Sequence, residues 1–341
     1  MRKRIGLIFG GLSAEHEISL KSASAVFKNM DRERFDIVPI YIDRNGMWSI
    51  QDLTCFENGV DPKVMTNTFL PWGSTIGERL ACDIYFPVLH GPNGEDGKVQ
   101  SLIELAGKPL VGANSLGSAL AMDKTVAKVL FKEAGLNVVP SLSFNKQQPE
   151  RQICDMVLEH LKLPVFIKPN ALGSSVGISK AENESEIIKG IEAAFHFDNQ
   201  VIIEEGLNVR EIEVSIMGND ELMVSRPGEL VPDNAFYDYE DKYLKGKTTF
   251  HIPAKLDPEM ETQVMESTKI AFQALRLNGM ARVDFFIESE TDKLYINEIN
   301  TIPGFTEISM FPKLWETVGI GFTDLLNRLV EFGFEAYRIK C

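Results

Sequence analysis

The chain opens on a short unbroken apolar run, Ile5–Phe9, which stops at Gly10 and Gly11 and gives way to Ile18, Ala25 and Val26 at helical spacing. A continuous apolar run bounded by glycine reads as a buried strand, and the spacing after it as a helix. Phe35–Ile42 and Ala81–Leu89 repeat the strand pattern, the second closing on His90-Gly91-Pro92, and Pro109–Gly112 predicts a short fourth strand. Strands alternating with helices across residues 1–115 predict an α/β unit with a parallel sheet. Ligands of such a sheet meet the ends of its strands, here Gly10-Gly11 and His90-Gly91.

Beyond residue 115 the pattern changes. Ser115–Ala134 reads as one helix ended by Gly135, and Gln152–Leu161 as another. Pro164–Lys168 and Val176–Lys180 predict two strands around a Gly-Ser loop, Val201–Glu205 a further short strand, and Glu211–Met217 alternates as half-buried strands do. Pro227–Pro253 has little regular pattern, and a loop of that length is usually a lid or a binding loop. A helix over Pro258–Leu275, a hairpin of Ala281–Ile287 with Leu294–Asn300, and a helix over Thr323–Gly333 complete the chain.

The sequence has 341 residues, 44% apolar and 25% charged, which fits two or three packed globular domains. Its formal charge of -14 predicts a surface that repels nucleic acid and anionic membranes. It does not exclude a nucleotide, because local lysines can still build a positive pocket. Cys55, Cys82, Cys154 and Cys341 lie far apart with no C-x-x-C pair, which argues against a zinc site or a disulfide framework and for a reducing cytoplasm. The basic start Met1–Arg4 is followed too soon by Gly10-Gly11, Glu15 and Glu17 to make a signal peptide. No apolar stretch reaches the length of a membrane span.

The hairpin carries the strongest chemical signal. Alternate residues of a strand share a face, so Arg282, Asp284 and Phe286 point one way, and Ile296, Glu298 and Asn300 share a face of the partner strand. If the two faces coincide, Asp284, Glu298 and Asn300 form an all-oxygen cluster of the kind a hard cation such as magnesium takes. The plain alternative is a solvated sheet face. Lys168 ends an apolar strand beside the turn Gly173-Ser174-Ser175, where a phosphate would match the lysine and the backbone N–H groups. It is equally a hairpin whose lysine snorkels to solvent. The order G-x-x-x-x-G-K-[ST] of a Walker A loop is absent. Lys124 on its helix, Lys242 in the long loop, and Glu204-Glu205 ending an apolar strand each read, taken singly, as surface positions. Ser13 suits a helix N-cap, and Glu15 in the first turn is favoured there by the helix dipole; the alternative is that Glu15 meets a substrate ammonium at the strand-end crevice. His90, in a loop rich in turn residues, is a turn cap or a substrate contact.

In their order, the blocks GGLSAEHEISL, LHGPNGEDG, MDK, VFIKPNALGSSVGISK, IIEEGLNVREIEV, FYDYEDKY, ARVDFF and INEINTIPGFTEISMFP resemble the D-alanine–D-alanine ligases of the ATP-grasp superfamily. They run from residue 10 to residue 312. The resemblance implies three domains: an N-terminal parallel-sheet α/β domain (1–115), then two α+β domains (116–206 and 207–341) that clasp ATP, with a lid at 227–253. It implies that Lys124 and Lys168 hold ATP phosphates, that Glu204, Glu205, Gly206 and Leu207 form the adenine strand, and that Glu211 meets the ribose. Glu205 is acidic where some relatives carry lysine, so no phosphate role passes to it. Lys242 would reach the γ-phosphate, and Asp284, Glu298 and Asn300 would hold two magnesium ions, which manganese can replace. Glu15 would hold the amino group of the first D-alanine, with His90 beside the substrate. Arg282 and the Gly304 amide would stabilise the acyl phosphate and the tetrahedral intermediate. Ser309 and Met310 would bind the second carboxylate. Ser174 and Tyr243 would link to Glu15 and shut the lid. Tyr243 is of the dipeptide-forming type rather than the D-lactate type; D-serine stays open as an acceptor. The implied partners are small molecules, and homodimers are common among the relatives.

Overall fold

The computed structural model describes residues 2–57, 60–63, 82–173, 176–231 and 249–340. Its first sheet follows from the apolar runs. Strand β1 (Lys3–Gly10) pairs in parallel with β2 (Phe35–Ile42) on one side and β4 (Ile84–Val88) on the other, and β3 (Trp48–Ile50) adds an antiparallel edge, giving the order β3-β2-β1-β4. Gly10 ends β1 at φ +93, where a Cβ would stand 2.2 Å from the Ile42 carbonyl oxygen, so only glycine lets the chain turn there. Helix α1 (His16–Asn29) then packs back on the sheet. Glu15 occupies its N-cap position, and Ser13, expected as the cap, instead accepts from the Glu15 N–H at 3.2 Å without capping the helix. The expected strand at Pro109–Gly112 is a single parallel bridge, Tyr85–Leu110; proline has no N–H for a ladder, and Gly112 leaves extended geometry at φ +106.

The expected helix over Ser115–Ala134 is two helices. Helix α2 (Lys98–Leu105) precedes them; α3 (Ser115–Met122) ends at Asp123, whose extended backbone breaks the spiral, and α4 (Lys124–Glu133) begins at once. The Asp123 carboxylate accepts from the Val126 N–H at 2.9 Å. An N-cap of this kind is worth about 1 kcal/mol, and here it fixes Lys124 at the first helical position.

The two remaining sheets are antiparallel. One has the order β5-β8-β6-β7, from β5 (Ser141–Asn145), β8 (Gln200–Glu205), β6 (Val165–Pro169) and β7 (Ser179–Ala181). Helices α5 (Glu150–His160) and α6 (Glu184–Ala194) cover it, burying Ile153, Val157, Ile187 and Ile191 completely. The other runs β12-β11-β9-β13-β14, with β10 (Leu222–Val224) also on β9 (Val209–Gly218). Its members are β11 (Gly228–Val231), β12 (Thr249–His251), β13 (Gly279–Glu288) and β14 (Leu294–Asn300). Helix α7 (Pro258–Ala274) covers the face that carries Val283, Phe285 and Ile299. Met280, Phe305, Phe311 of α8 (Met310–Glu316) and Leu326 of α9 (Phe322–Lys340) share one core with Leu7 and Phe9 of β1, so the first sheet is docked on this end of the molecule. The segment expected as an irregular lid, 227–253, is strand at both ends: β11 and β12 fall inside it and pair with each other, a pairing that its sequence pattern does not announce, and residues 232–248 lie outside the described residues.

Candidate active site

The alternation of β13 is as the sequence implies: Val283, Phe285 and Ile287 are buried, while Arg282, Asp284 and Phe286 are half-buried on the other face. On β14 the pairing holds for Arg282–Asn300 and Asp284–Glu298, then slips so that Phe285 faces Ile296. Asn297 is the extra residue of this bulge, and it re-aims the strand. Ile296, expected on the face of Glu298 and Asn300, is therefore turned into the core at 1% exposure. The carboxylate of Asp284 accepts two bonds from Arg282, from Nε and Nη2, each 2.7 Å, and one of 2.9 Å from the Asn300 amide. Arg282 also lies 3.2 Å from Glu213 of the neighbouring β9. Glu213 went unnoticed in the sequence, although it is two residues past Glu211 and so on the same strand face.

Arg282, Asp284 and Glu213 line a cavity of about 520 Å³ together with His90, Glu211, Glu298, Gly304, Ser309 and Met310. Ser309 precedes α8 but does not cap it; its hydroxyl accepts from the Thr306 N–H at 3.0 Å. His90 is 6% exposed, with Nδ1 3.0 Å from the Ile302 carbonyl oxygen and Nε2 3.2 Å from Ser22 Oγ, so both ring nitrogens are engaged by the protein. Burial lowers its pKa, against the pull of Glu15. Glu15 is 8% exposed beside two glycines: a Cβ on Gly91 would stand 2.7 Å, and on Gly173 3.5 Å, from its Oε2. Close by, Glu95 accepts from the Gly91 N–H at 2.8 Å. Burial, and then the negative charge of Glu15, push its carboxyl up to about 8.

Across the cleft, β6 and β8 bring Lys168 and Glu204 together at 2.6 Å, and α4 adds Lys128 at 2.8 Å to the other oxygen. Burial works to raise the Glu204 pKa, but Lys128 and Lys168 override it and hold the carboxyl at about 2. Glu204 is 2% exposed, so its side chain is committed to the lysines. Lys128 was not foreseen, though it stands one helical turn after Lys124, on the same face. Lys124 donates to the Leu172 carbonyl at 2.6 Å and reaches Glu298 at 3.9 Å, which joins the lysine group to the hairpin. Burial lowers its pKa against the attraction of Glu298. Glu205 points the other way and accepts from the Lys162 N–H at 3.0 Å. Gly206 bonds the Pro164 carbonyl at 2.7 Å, and Leu207 follows half-buried. Ser174, Lys242 and Tyr243 lie outside the described residues.

A parallel-sheet unit docked on an antiparallel sheet that carries an Asp-Glu-Asn hairpin, with a second antiparallel sheet and helix α4 supplying lysines, has the architecture of an ATP-grasp enzyme. The comparisons narrow this. Residues 4–113 match the family model for the D-ala D-ala ligase N-terminus, and residues 130–331 that for its C-terminus. The chain belongs to the D-alanine–D-alanine ligase family. It is 43% identical to a D-alanine–D-alanine ligase of Heliobacterium modesticaldum, over 100% of this chain and 97% of that one. It is 41% identical to the Staphylococcus carnosus ligase, over 98% and 96%. Among solved structures, it is similar to the VanG D-Ala:D-Ser ligase from Enterococcus faecalis (TM-score 0.84, 37% identity, 98% of this chain and 100% of that one). It is similar as well to the Coxiella burnetii D-alanine–D-alanine ligase (TM-score 0.84, 32% identity, 99% and 97%). Among the described residues no helix is long and apolar enough to cross a membrane.

Proposed function

We propose that the protein uses ATP to join two D-alanines into D-alanyl-D-alanine, a precursor for peptidoglycan, in the cytoplasm. The observation that carries this reading is the junction at Lys124 and Glu298, where the lysines of α4 and β6 meet the carboxylates of the β13–β14 hairpin. In this reading residues 1–115, 116–206 and 207–341 act as three domains, the last two clasping the nucleotide.

A carboxylate is a poor electrophile, so the first D-alanine must be activated. Its carboxylate oxygen attacks the γ-phosphorus of ATP, the bond to the bridging oxygen breaks, and ADP leaves. Lys124 and Lys168 hold the phosphates and draw off their charge, the chief means by which proteins speed phosphoryl transfer. The backbone of Glu204–Leu207 meets the adenine and Glu211 the ribose. Glu15 binds the first ammonium. The amine of the second D-alanine then attacks the acyl carbon, phosphate leaves, and the new amide nitrogen sheds a proton. Arg282 and the Gly304 amide face the oxyanion of that step, while Ser309 and the backbone at Met310 hold the second carboxylate.

Asp284 and Glu298 line the cavity and Asn300 pairs beside them on β14, a set of oxygen donors that would suit magnesium bound partly through phosphates. Bound there, the cation would neutralise charge on the transferring phosphoryl group. Arg282 and the Asn300 amide hold the Asp284 carboxylate oriented for that role.

The test is phosphate release by the purified protein, with product mass measured. Release that needs both D-alanine and magnesium, with a mass for D-alanyl-D-alanine, is the expected result. No release with both present would end the reading. The likeness to a D-Ala:D-Ser ligase supports a second reading, D-serine as acceptor, which competition between the two amino acids decides by product mass.

A further inference from the structure

The tetrapeptide Ile302–Phe305 carries Gly304 past the cavity, and both of its ends are held by one chain of hydrogen bonds from the N-terminal sheet region. At one end the Phe305 N–H donates to Ser22 Oγ at 3.2 Å. At the other, the Ile302 carbonyl oxygen lies 3.0 Å from His90 Nδ1. Ser22 Oγ and His90 Nε2, 3.2 Å apart, join the two. The proton positions follow from the partners. A carbonyl only accepts, so Nδ1 carries the hydrogen; the neutral ring then leaves Nε2 as an acceptor for the Ser22 hydroxyl, which is free to accept from Phe305. Every donor has one acceptor, and the bonds run head to tail from Phe305 through Ser22 and His90 back to Ile302. Ser22 is 0% exposed, so water cannot stand in for it.

Ser19, one turn earlier on α1, is equally buried but serves differently. It accepts from the Gly10 N–H at 2.8 Å and donates to the Val88 carbonyl, both within the first sheet. Only Ser22 reaches across to the segment that lines the cavity. The Phe305 ring is held separately, edge-on to Phe86 at 5.6 Å. That packing fixes the side chain, whereas the Ser22–His90 clasp fixes the backbone on either side of Gly304.

We propose that Ser22 is a positioning residue for the ligase reaction: with His90 it clasps both ends of Ile302–Phe305 and so sets where the Gly304 amide meets the developing oxyanion. This rests on the ligase reading, and the experiment separates the two. Wild type, Ser22→Ala and Ser19→Ala are compared by amide hydrogen exchange and by steady-state kinetics. In Ser22→Ala, exchange at Ile302–Phe305 quickens, kcat falls about tenfold because the amide is misplaced, and KM for ATP stays near wild type. Ser19→Ala lowers Tm but keeps kcat and the exchange of that segment near wild type. Ser22→Cys, near-isosteric with a weak donor and acceptor, shows the same changes at smaller size and serves if the alanine variant does not fold. Wild-type exchange and kcat in the Ser22 variants, or an equal kcat loss in Ser19→Ala, would overturn the proposal. If wild type does not turn over D-alanine, the ligase reading fails. Exchange then decides the clasp alone: faster exchange in Ser22→Ala upholds it, and unchanged exchange overturns it.

Discussion

Two acidic groups lie on opposite sides of one cleft and are built on opposite terms. Glu204 has a side chain 3% exposed between Lys128 and Lys168, so one carboxylate faces two ammonium groups. Among the described residues, Glu213, Asp284 and Glu298 share a face with the Arg282 guanidinium, Lys124 stands 3.9 Å from Glu298, and the three carboxylate side chains are 11%, 14% and 33% exposed. The first group is closed and carries a positive excess. The second is open and carries a negative one. On the proposed reading, an anionic nucleotide would be drawn to the first and a cation to the second, and a cation-bound triphosphate would satisfy both. Identical side chains thus do different work because the surrounding count of charges differs.

The comparison breaks most easily at the open side. On the proposed reading, Asp284→Ala and Glu298→Ala each lower kcat by about a thousandfold, since they would remove ligands of the charge-neutralising cation. Both variants stay folded: Glu298→Ala keeps a Tm near wild type, and Asp284→Ala loses a few degrees at most because Arg282 and Asn300 lose a shared partner while Glu213 still faces Arg282. Turnover assays and thermal melts check the pair of outcomes. Activity near wild type would remove the metal role, and a large loss of Tm would make the open group structural after all.

The closed side breaks in the other sense. Lys128→Met leaves Glu204 buried with one partner instead of two, and costs about 3 kcal/mol of stability, the low end of the range for breaking a buried ion pair because Lys168 remains. Nucleotide affinity falls with it, while kcat at saturating ATP falls far less than in Asp284→Ala. Denaturant unfolding and nucleotide titration measure both. A Lys128→Met protein as stable as wild type would mean that Lys168 alone holds the carboxylate.

The two groups also differed in how far the sequence disclosed them. Strand period placed Arg282, Asp284, Glu298 and Asn300 on one face, because side chains two apart share a face wherever the ladder is regular. It misplaced Ile296, since a bulge at Asn297 inverts the alternation and leaves no mark in composition. Lys128 has a helical signal, one turn after Lys124, but its meaning depends on Glu204 arriving from a strand 76 positions away. The break at Asp123 was hidden because residues on both sides favour helix, and only the cap divides them. Family likeness named Glu15 and Lys124 as site residues; the residues alone left Lys124 as a surface lysine within one long helix and Glu15 divided between the helix dipole and a substrate ammonium. Ser22 had no signal at all, since a small polar residue on an apolar helix face declares its partners only when the fold brings Phe305 and His90 to it.

The smallest effect probes the same contrast through two glutamates. Glu204, on the positive side, is held at about 2, whereas Glu95, near Glu15 and Glu298 on the negative side, is pushed up to about 8. A carboxyl raised above its unfolded pKa is protonated in the fold, so its contribution is fully present below about pH 4.3 and is lost as pH rises through 8. Glu95→Gln mimics the protonated form and can still accept from the Gly91 N–H. Without divalent cations, which would relieve the field of Glu298, the variant melts about 2 °C above wild type at pH 9. The gap closes toward pH 5, where wild type is itself protonated. A gap that is constant with pH would mean that Glu95 does not titrate in this range and that the open side lacks the negative excess assigned to it. A gap that shrinks when magnesium is added would place the cation close enough to Glu95 to neutralise that field, which joins this residue to the open group rather than to the closed one.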